Sequence, residues 1–420
     1  MFAKRLLMVA CIFLLATLVF AQDDVIKIYS SWPLTGGTQF TGESMLNASE
    51  LALQHYLDDH DGQGPAGFTI ELVPLDDASP TTGAWDGTIE AENAQRCVND
   101  PECMIYYGTY NSGAAKVSMV ITNESGMAQI SPANTYAGLT RSGCDGCAEN
   151  EPDIYRPSGE VNYFRTPPTD DVQGAAGASW AYCLGAQNVY ILDDNQAYGK
   201  GVADVFEAHA NEIGLNIVGH SHVESTDIDF RALLTEVRSS GADLVYGGFV
   251  LDSGGPQVIQ QMDSLGLFAD GIKYIGADGI ASPAVVEPAG GPDVVNGNVS
   301  VTFPGVLPSL LTSESGQRMY EDYVAQWDEP DPYAVYAYVA MQVILDSIER
   351  AGEADRGAIL EAMRTTQDLD TIVGPFAFDE NGDATTGVFY GFDFIDGEMA
   401  NPTPLSPTMN EECTPGESSS

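Results

Sequence analysis

The sequence predicts an α/β protein of two similar lobes, and three observations carry that expectation. Short apolar stretches of strand length alternate with helix-spaced segments at intervals typical of βαβ units. A loop-rich stretch at 138–158 interrupts the rhythm, which then restarts. The chain has 420 residues, more than the usual length of one compact unit.

The first lobe opens with a buried strand at 25–32 and a turn at 33–37. Met45, Leu46, Leu51, Leu53 and Tyr56 then fall at helical spacing over 43–57. A strand is expected at 68–75, a helix at 88–98, a strand at 104–108, a helix at 113–122 and a strand at 128–131. After the interruption come strand 188–192, helix 198–213, strand 216–220, helix 229–239, strand 244–249, helix 256–265 and strand 272–276. A long apolar helix at 333–351 and a short one at 357–364 follow. The segments 375–378 and 388–395, around a turn at 379–383, read as a β-hairpin. Residues 401–420 are rich in Pro, Ser and Thr without a period, which predicts a flexible tail.

Composition narrows the function. Sixteen Lys plus Arg stand against 61 Asp plus Glu, a formal net charge of −45, and a field of that sign repels phosphate backbones. No nucleic-acid partner is expected. Mean hydropathy of −0.08 excludes a polytopic membrane protein. At the amino terminus Lys4 and Arg5 precede an apolar run over 6–20, and Val19-Phe20-Ala21 offers small residues for cleavage. A signal peptide over 1–21, cleaved after Ala21, is expected, with an uncleaved anchor as its rival. The mature chain is then periplasmic or extracellular.

Export makes disulfides the expected state of Cys97, Cys103, Cys144, Cys147, Cys183 and Cys413. Six cysteines allow about fifteen full pairings, so proximity alone suggests Cys97 with Cys103 and Cys144 with Cys147. Cys144-x-x-Cys147 has a spacing also used for zinc, but no second such pair accompanies it.

Signatures of catalysis are missing. The sequence has no HExxH and no GxSxG elbow, and no GxGxxG follows the first strand. His220 and His222 share a strand face, a weak metal hint against which solvated loop histidines are the simpler expectation. Asp379-x-Asn381-x-Asp383 opens like a calcium loop but lacks the later ligands, so a turn is expected. No enzyme, cofactor or metal site is predicted. What remains are strand ends followed by small and hydroxyl residues: Gly108 through Ala115, and Pro132 through Tyr136. Free N–H groups and hydroxyls at a helix start suit a carboxylate, and open α/β sheets bind ligands beyond their strand ends.

The ordered series IKIYSSWPLTGGTQFTGESMLNASELAL, YYGTYNSGAAKV, QISPANTY, FRTPPTDDVQG, VYILDDNQAYGKG, LVYGGF, YIGADGI and VGPFAFDENGD resembles the type I, leucine/isoleucine/valine-type periplasmic binding proteins. The resemblance runs from about 26 to 397. It implies two Rossmann-like lobes joined by a three-strand hinge, with crossovers near 164–168, 300–304 and 371–375. Lobe I would comprise 26–168 and 304–372, and lobe II 169–303 and 373–397. It implies a monomeric solute-binding subunit of an ABC importer, handing an amino acid, branched-chain or related, to a membrane permease. A sensor or carrier for a small amide or urea-type solute is the alternative.

Carried over by position, Ser112 takes the ligand carboxylate, the Ala133 carbonyl receives the ammonium and Thr135 gives another polar contact. Tyr198 closes over the ligand, and Phe249 falls where the family often has Tyr. Asp278 takes the place of the acidic residue, often Glu, that pairs with the ammonium. A helix-capping role for Asp278 is the plain alternative.

Overall fold

A computed structural model describes residues 25–416; the expected signal segment lies outside them. The chain first builds β1 (Val25–Trp32), α1 (Gln39–Asp59), β2 (Thr69–Asp76), α2 (Gly87–Asn99), β3 (Cys103–Gly108), α3 (Ser112–Glu124), β4 (Ala128–Ser131) and β5 (Tyr163–Arg165). These five strands form one parallel sheet in the order β2-β1-β3-β4-β5. Helices on the crossovers cover it, so β3 is buried along its whole length.

A second unit follows: α4 (Asp170–Cys183), β6 (Asn188–Asp193), α5 (Ala197–Ile213), β7 (Asn216–His222), α6 (Arg231–Ser240), β8 (Leu244–Gly248), α7 (Gly255–Ser264), β9 (Lys273–Gly276), α8 (Pro292–Val295) and β10 (Val299–Phe303). The chain then returns to the first sheet through α9 (Glu314–Trp327), α10 (Ala334–Ala351) and α11 (Arg356–Arg364). Helix α10 packs beside α1, and the Tyr107 hydroxyl donates to the Ala337 carbonyl at 2.8 Å. After the small β11 (Leu369–Thr371) and β12 (Gly374–Phe376), β13 (Phe389–Ile395) and β14 (Glu398–Leu405) complete a seven-stranded sheet, β14-β13-β10-β9-β8-β6-β7. The fold is thus two Rossmann-like α/β units, each around its own sheet, with the chain crossing between them three times.

Several expectations need correction. The last crossing comes after Asp383, later than 371–375. Phe378 packs on Phe164, and Asp383 bridges to Arg165 beside β5, so this stretch stays with the first sheet. The Asp383 carboxylate accepts from Arg165 Nε at 2.7 Å and Arg141 Nε at 2.8 Å, a buried clamp at the hinge. The expected hairpin is mispaired: β13 is antiparallel to β14, and the segment 375–378 is not its partner. The tail is structured through 416. Pro402 and Pro404 lie on β14, the edge strand, where a missing N–H breaks no ladder bond. Cys413 is bonded to Cys183, and the Pro407 carbonyl accepts from Ser179 Oγ at 2.6 Å.

Helix α4 escapes the sequence pattern because its QGAAGASWA run is buried nearly all round and lacks a polar stripe. Its small residues serve close packing, since a Cβ on Gly174 would meet the Val202 carbonyl of α5 at 2.7 Å. Helix α9, also unpredicted, starts where the Ser313 hydroxyl accepts from the Gly316 N–H. Disulfides join Cys97 to Cys103 and Cys144 to Cys147 as expected. His220 and His222 lie on β7 and not in a solvated loop. No helix among the described residues is long and apolar enough to cross a membrane.

Candidate functional site

The carboxyl ends of the parallel strands in both sheets face one cleft. It is lined by Tyr110, Asn111, Ser112, Ala133 and Thr135 from the first unit, Tyr198, Val250, Asp278 and Gly279 from the second, and Tyr333 ahead of α10. The free space between them is small, about 20 Å³, roughly the room one water takes. The two units touch around it. Trp85 Nε1 donates to Gln196 Oε1 at 2.7 Å, Thr38 Oγ1 to Asp252 at 3.1 Å, and both Thr41 Oγ1 and Ser282 Oγ donate to Asp331.

On the first side, two strand-end loops are braced from beneath. Ser131 Oγ donates to the Thr109 carbonyl at 2.7 Å and accepts from the N–H groups of Ala133 and Asn134. Asn134 Nδ2 in turn donates to the Tyr110 carbonyl at 2.8 Å. This bracing presents Ser112 as the first residue of the 13-residue helix α3, whose amino end carries partial positive charge. Asn111 makes no capping bond, and its buried Oδ1 has no partner. The Thr135 hydroxyl is also buried and unpartnered. Such groups are costly unless something fills the cleft and bonds them.

The opposite side is built around Asp278. Its Oδ1 accepts from the Tyr198 hydroxyl at 2.7 Å, and Oδ2 accepts from the Tyr333 hydroxyl. Tyr198 Oη also accepts the Gly279 N–H at 2.7 Å, which fixes the ring against the 278–280 turn. Asp278 is the first residue inside the 278–280 turn, whose cap position is Ala277, and its two oxygens are taken by the tyrosine hydroxyls. Burial pushes the Asp278 carboxyl above its ordinary pKa, and the tyrosine hydroxyls pull it partly back. Asp170, at the start of α4, is fully buried with neither carboxylate oxygen hydrogen-bonded. Burial and the neighbouring Asp278 charge push it well above the carboxylate range. Among the described residues no Lys, Arg or His lines the cleft.

Residues 25–394 match the family model described as periplasmic binding protein. The chain belongs to that family. A "Leu/Ile/Val-binding protein homolog 1" of Brucella abortus is 27% identical over 84% of this chain and 85% of its own length. An "Amino acid binding protein" of Pseudomonas aeruginosa is 28% identical over 94% of this chain and 97% of its own length. The leucine-binding protein LivK of Thermotoga maritima superposes with a TM-score of 0.76 at 25% identity, covering 91% of this chain and 99% of its own. A solute-binding protein of an ABC transporter from R. palustris, solved with benzoate, shares the fold with a TM-score of 0.74 at 20% identity, covering 91% and 96%.

The family pattern locates five of the six expected positions on the cleft: Ser112, Ala133, Thr135, Tyr198 and Asp278. Phe249 is not among them. It is fully buried in the core, and Val250 faces the cleft instead. Along an extended segment neighbouring side chains point to opposite faces, so a one-residue displacement exchanges core for cleft. Tyr110, Asn111, Gly279, Val250 and Tyr333 are lining residues that sequence reasoning did not single out. Tyr110 and Asn111 sit inside the small-residue segment already marked as a strand end. Tyr333 follows Asp331-Pro332 directly before a helix, a local signal for a helix start but not for a ligand contact.

Proposed function

We propose that the protein captures a zwitterionic amino acid, branched-chain or similar in size, and delivers it to the permease of an ABC importer. The observation that carries this reading is the polarity of the cleft. A carboxylate held by two tyrosine hydroxyls lies on one side, the amino end of α3 on the other, and no cationic side chain lines the space between. An α-ammonium against Asp278 and an α-carboxylate against Ser112 and the free first-turn amides of α3 would satisfy both ends. The Thr135 hydroxyl and Asn111 Oδ1 gain partners in the same step. The leucine-binding and amino-acid-binding relatives support the ligand class.

The benzoate-bound neighbour supplies the informative contrast. An aromatic monocarboxylate could place its anion against Ser112 and the amino end of α3, but it would leave the Asp278 charge without a cation. Binding needs no chemistry here, only complementary groups and closure of two lobes, so no catalytic step is assigned. The expected signal segment, export and a monomeric state belong to the same reading.

Calorimetric titration of unfolded-and-refolded, ligand-stripped protein tests it, using the common amino acids, benzoate, urea and short amides. Saturable binding of an aliphatic amino acid is expected. Binding of benzoate or a neutral amide with no amino acid bound would overturn the assignment.

A further inference from the structure

The carboxyl ends of β6 and β7 hold a second constellation, apart from the cleft lining. Asp193 is the last residue of β6, fully buried, and paired across the parallel ladder with His222, the last residue of β7. His220, two residues earlier, presents its ring on the same face, with ring centroids 4.7 Å apart. Asp193 Oδ2 lies 2.7 Å from His220 Nε2 and 2.7 Å from His222 Nδ1. These three atoms lie within 4.8 Å of one another. The other Asp193 oxygen is occupied by the Asn195 N–H at 2.8 Å. On its far side, His220 Nδ1 meets Glu207 Oε2 of α5 at 2.7 Å.

We propose that Asp193, His220 and His222 form a binding site for a divalent transition-metal cation such as zinc. Two imidazole nitrogens and one carboxylate oxygen are a ligand set such ions favour, with bonds of about 2.0–2.2 Å. Tetrahedral bonds of that length set donor separations of about 3.3 Å, so the two 2.7 Å contacts would widen by about 0.6 Å and the histidine nitrogens, now within 4.8 Å, would settle at a like distance. The arrangement around His220 is the second argument. A metal-bound imidazole generally gives its other ring N–H to a carboxylate, which fixes the ring and its tautomer, and Glu207 stands in that position. Access is the third. Strand β7 is the sheet edge, and the His222 side chain is 42% exposed while Asp193 is sealed. The ion would enter from solvent and keep water in its remaining positions.

A metal-free hydrogen-bonded cluster would use the same short contacts, so the test must see the metal. Tag-free protein is stripped with a chelator and titrated with Co²⁺, followed by visible absorption and equilibrium dialysis, then challenged with Zn²⁺. One equivalent is expected, with ligand-field bands of a low-symmetry site that vanish as Zn²⁺ displaces the cobalt. His222→Ala and His220→Ala should abolish the bands. Glu207→Gln, which removes only the orienting carboxylate, should weaken affinity about 10- to 100-fold while the bands persist. Asp278→Asn should leave metal binding untouched. Wild-type protein that binds no cobalt would overturn the proposal. So would many weak sites abolished by high salt, or a site that survives in the properly folded His222→Ala protein.

Discussion

Replacing Asp278 by Asn changes one charge at the centre of the cleft and almost nothing else in shape. An ammonium at hydrogen-bond distance, about 3 Å, gains roughly 5 kcal/mol of Coulomb energy at an effective dielectric constant of about 20. Desolvation of both charges offsets part of that, and truncating one partner of a buried charge pair typically costs about 2–5 kcal/mol. Asp170 lowers the expectation within this range. With the Asp278 charge gone, the carboxyl of Asp170 loses the neighbour that helps hold it protonated, and it can take over part of the attraction. A loss of about 2–3 kcal/mol, roughly 30- to 150-fold in Kd, is therefore expected for an amino acid. Fold stability should move the other way. Burial disfavours the ionised Asp278, so the neutral amide should leave the ligand-free Tm unchanged or higher, with Tyr198 and Tyr333 still bonded. Benzoate, which brings no ammonium to Asp278, should lose none of its affinity in the variant. Calorimetry on parent and variant reads all three effects. An amino-acid Kd within about threefold of the parent would refute the reasoning.

Two further outcomes are expected from groups outside the ligand contacts. Asp331 is fully buried between Thr41 and Ser282, and burial raises its pKa to about 6, above the ~3.9 of an unfolded chain. A raised folded pKa means the folded state binds the extra proton, so this stability is present at pH 4 and lost as pH rises through 6. The difference between the two values is worth ~3 kcal/mol. Thermal melts of ligand-free protein from about pH 4 to 7 should therefore show this contribution falling up to about pH 6 and level beyond, with a flatter profile for Asp331→Asn; parallel profiles would contradict this. Cys183 and Cys413 close a separation of 230 residues. Replacing both by Ser should lower stability by roughly 2–5 kcal/mol in a denaturant melt without changing ligand affinity; an unchanged midpoint would show that the terminal segment holds without the bond.

The parallel strands and their crossover helices were legible because they follow simple periods, apolar runs for buried strands and helical spacing between them. The failures share one cause, the absence of a local contrast. Helix α4 has no polar face to mark it, and β14 hides behind prolines that only an edge strand tolerates. At the site, the segments holding Ser112 and Thr135 stood out because each follows a strand end, where the fold exposes polar groups, while Asp278 was marked only by the family resemblance. Tyr333 reaches the same cleft from the start of α10, more than fifty residues beyond Asp278, and no spacing rule connects the two. His220 and His222 were visible as a pair, but Asp193 lies 27 residues earlier than His220, and only the β6–β7 register joins them.

Charge is where sequence and structure differ most in meaning. The formal value of −45 counts every acid as ionised, yet several acids lie inside, where burial returns the proton. Glu90 and Asp194 are pushed up to about 7, and Asp77, like Asp170, has no partner for either oxygen. At the cleft this separates Asp278, which lines it, from Asp170, buried beside it. Asp278 receives two tyrosine hydroxyls, which favour its ionised form, whereas neither oxygen of Asp170 is hydrogen-bonded. Like charges side by side disfavour double ionisation, so the first to ionise is the one with donors already in place. Asp278 then offers the charge that an ammonium needs, while Asp170 keeps its proton. Each role follows from the hydrogen bonds around the carboxyl and not from the residue type.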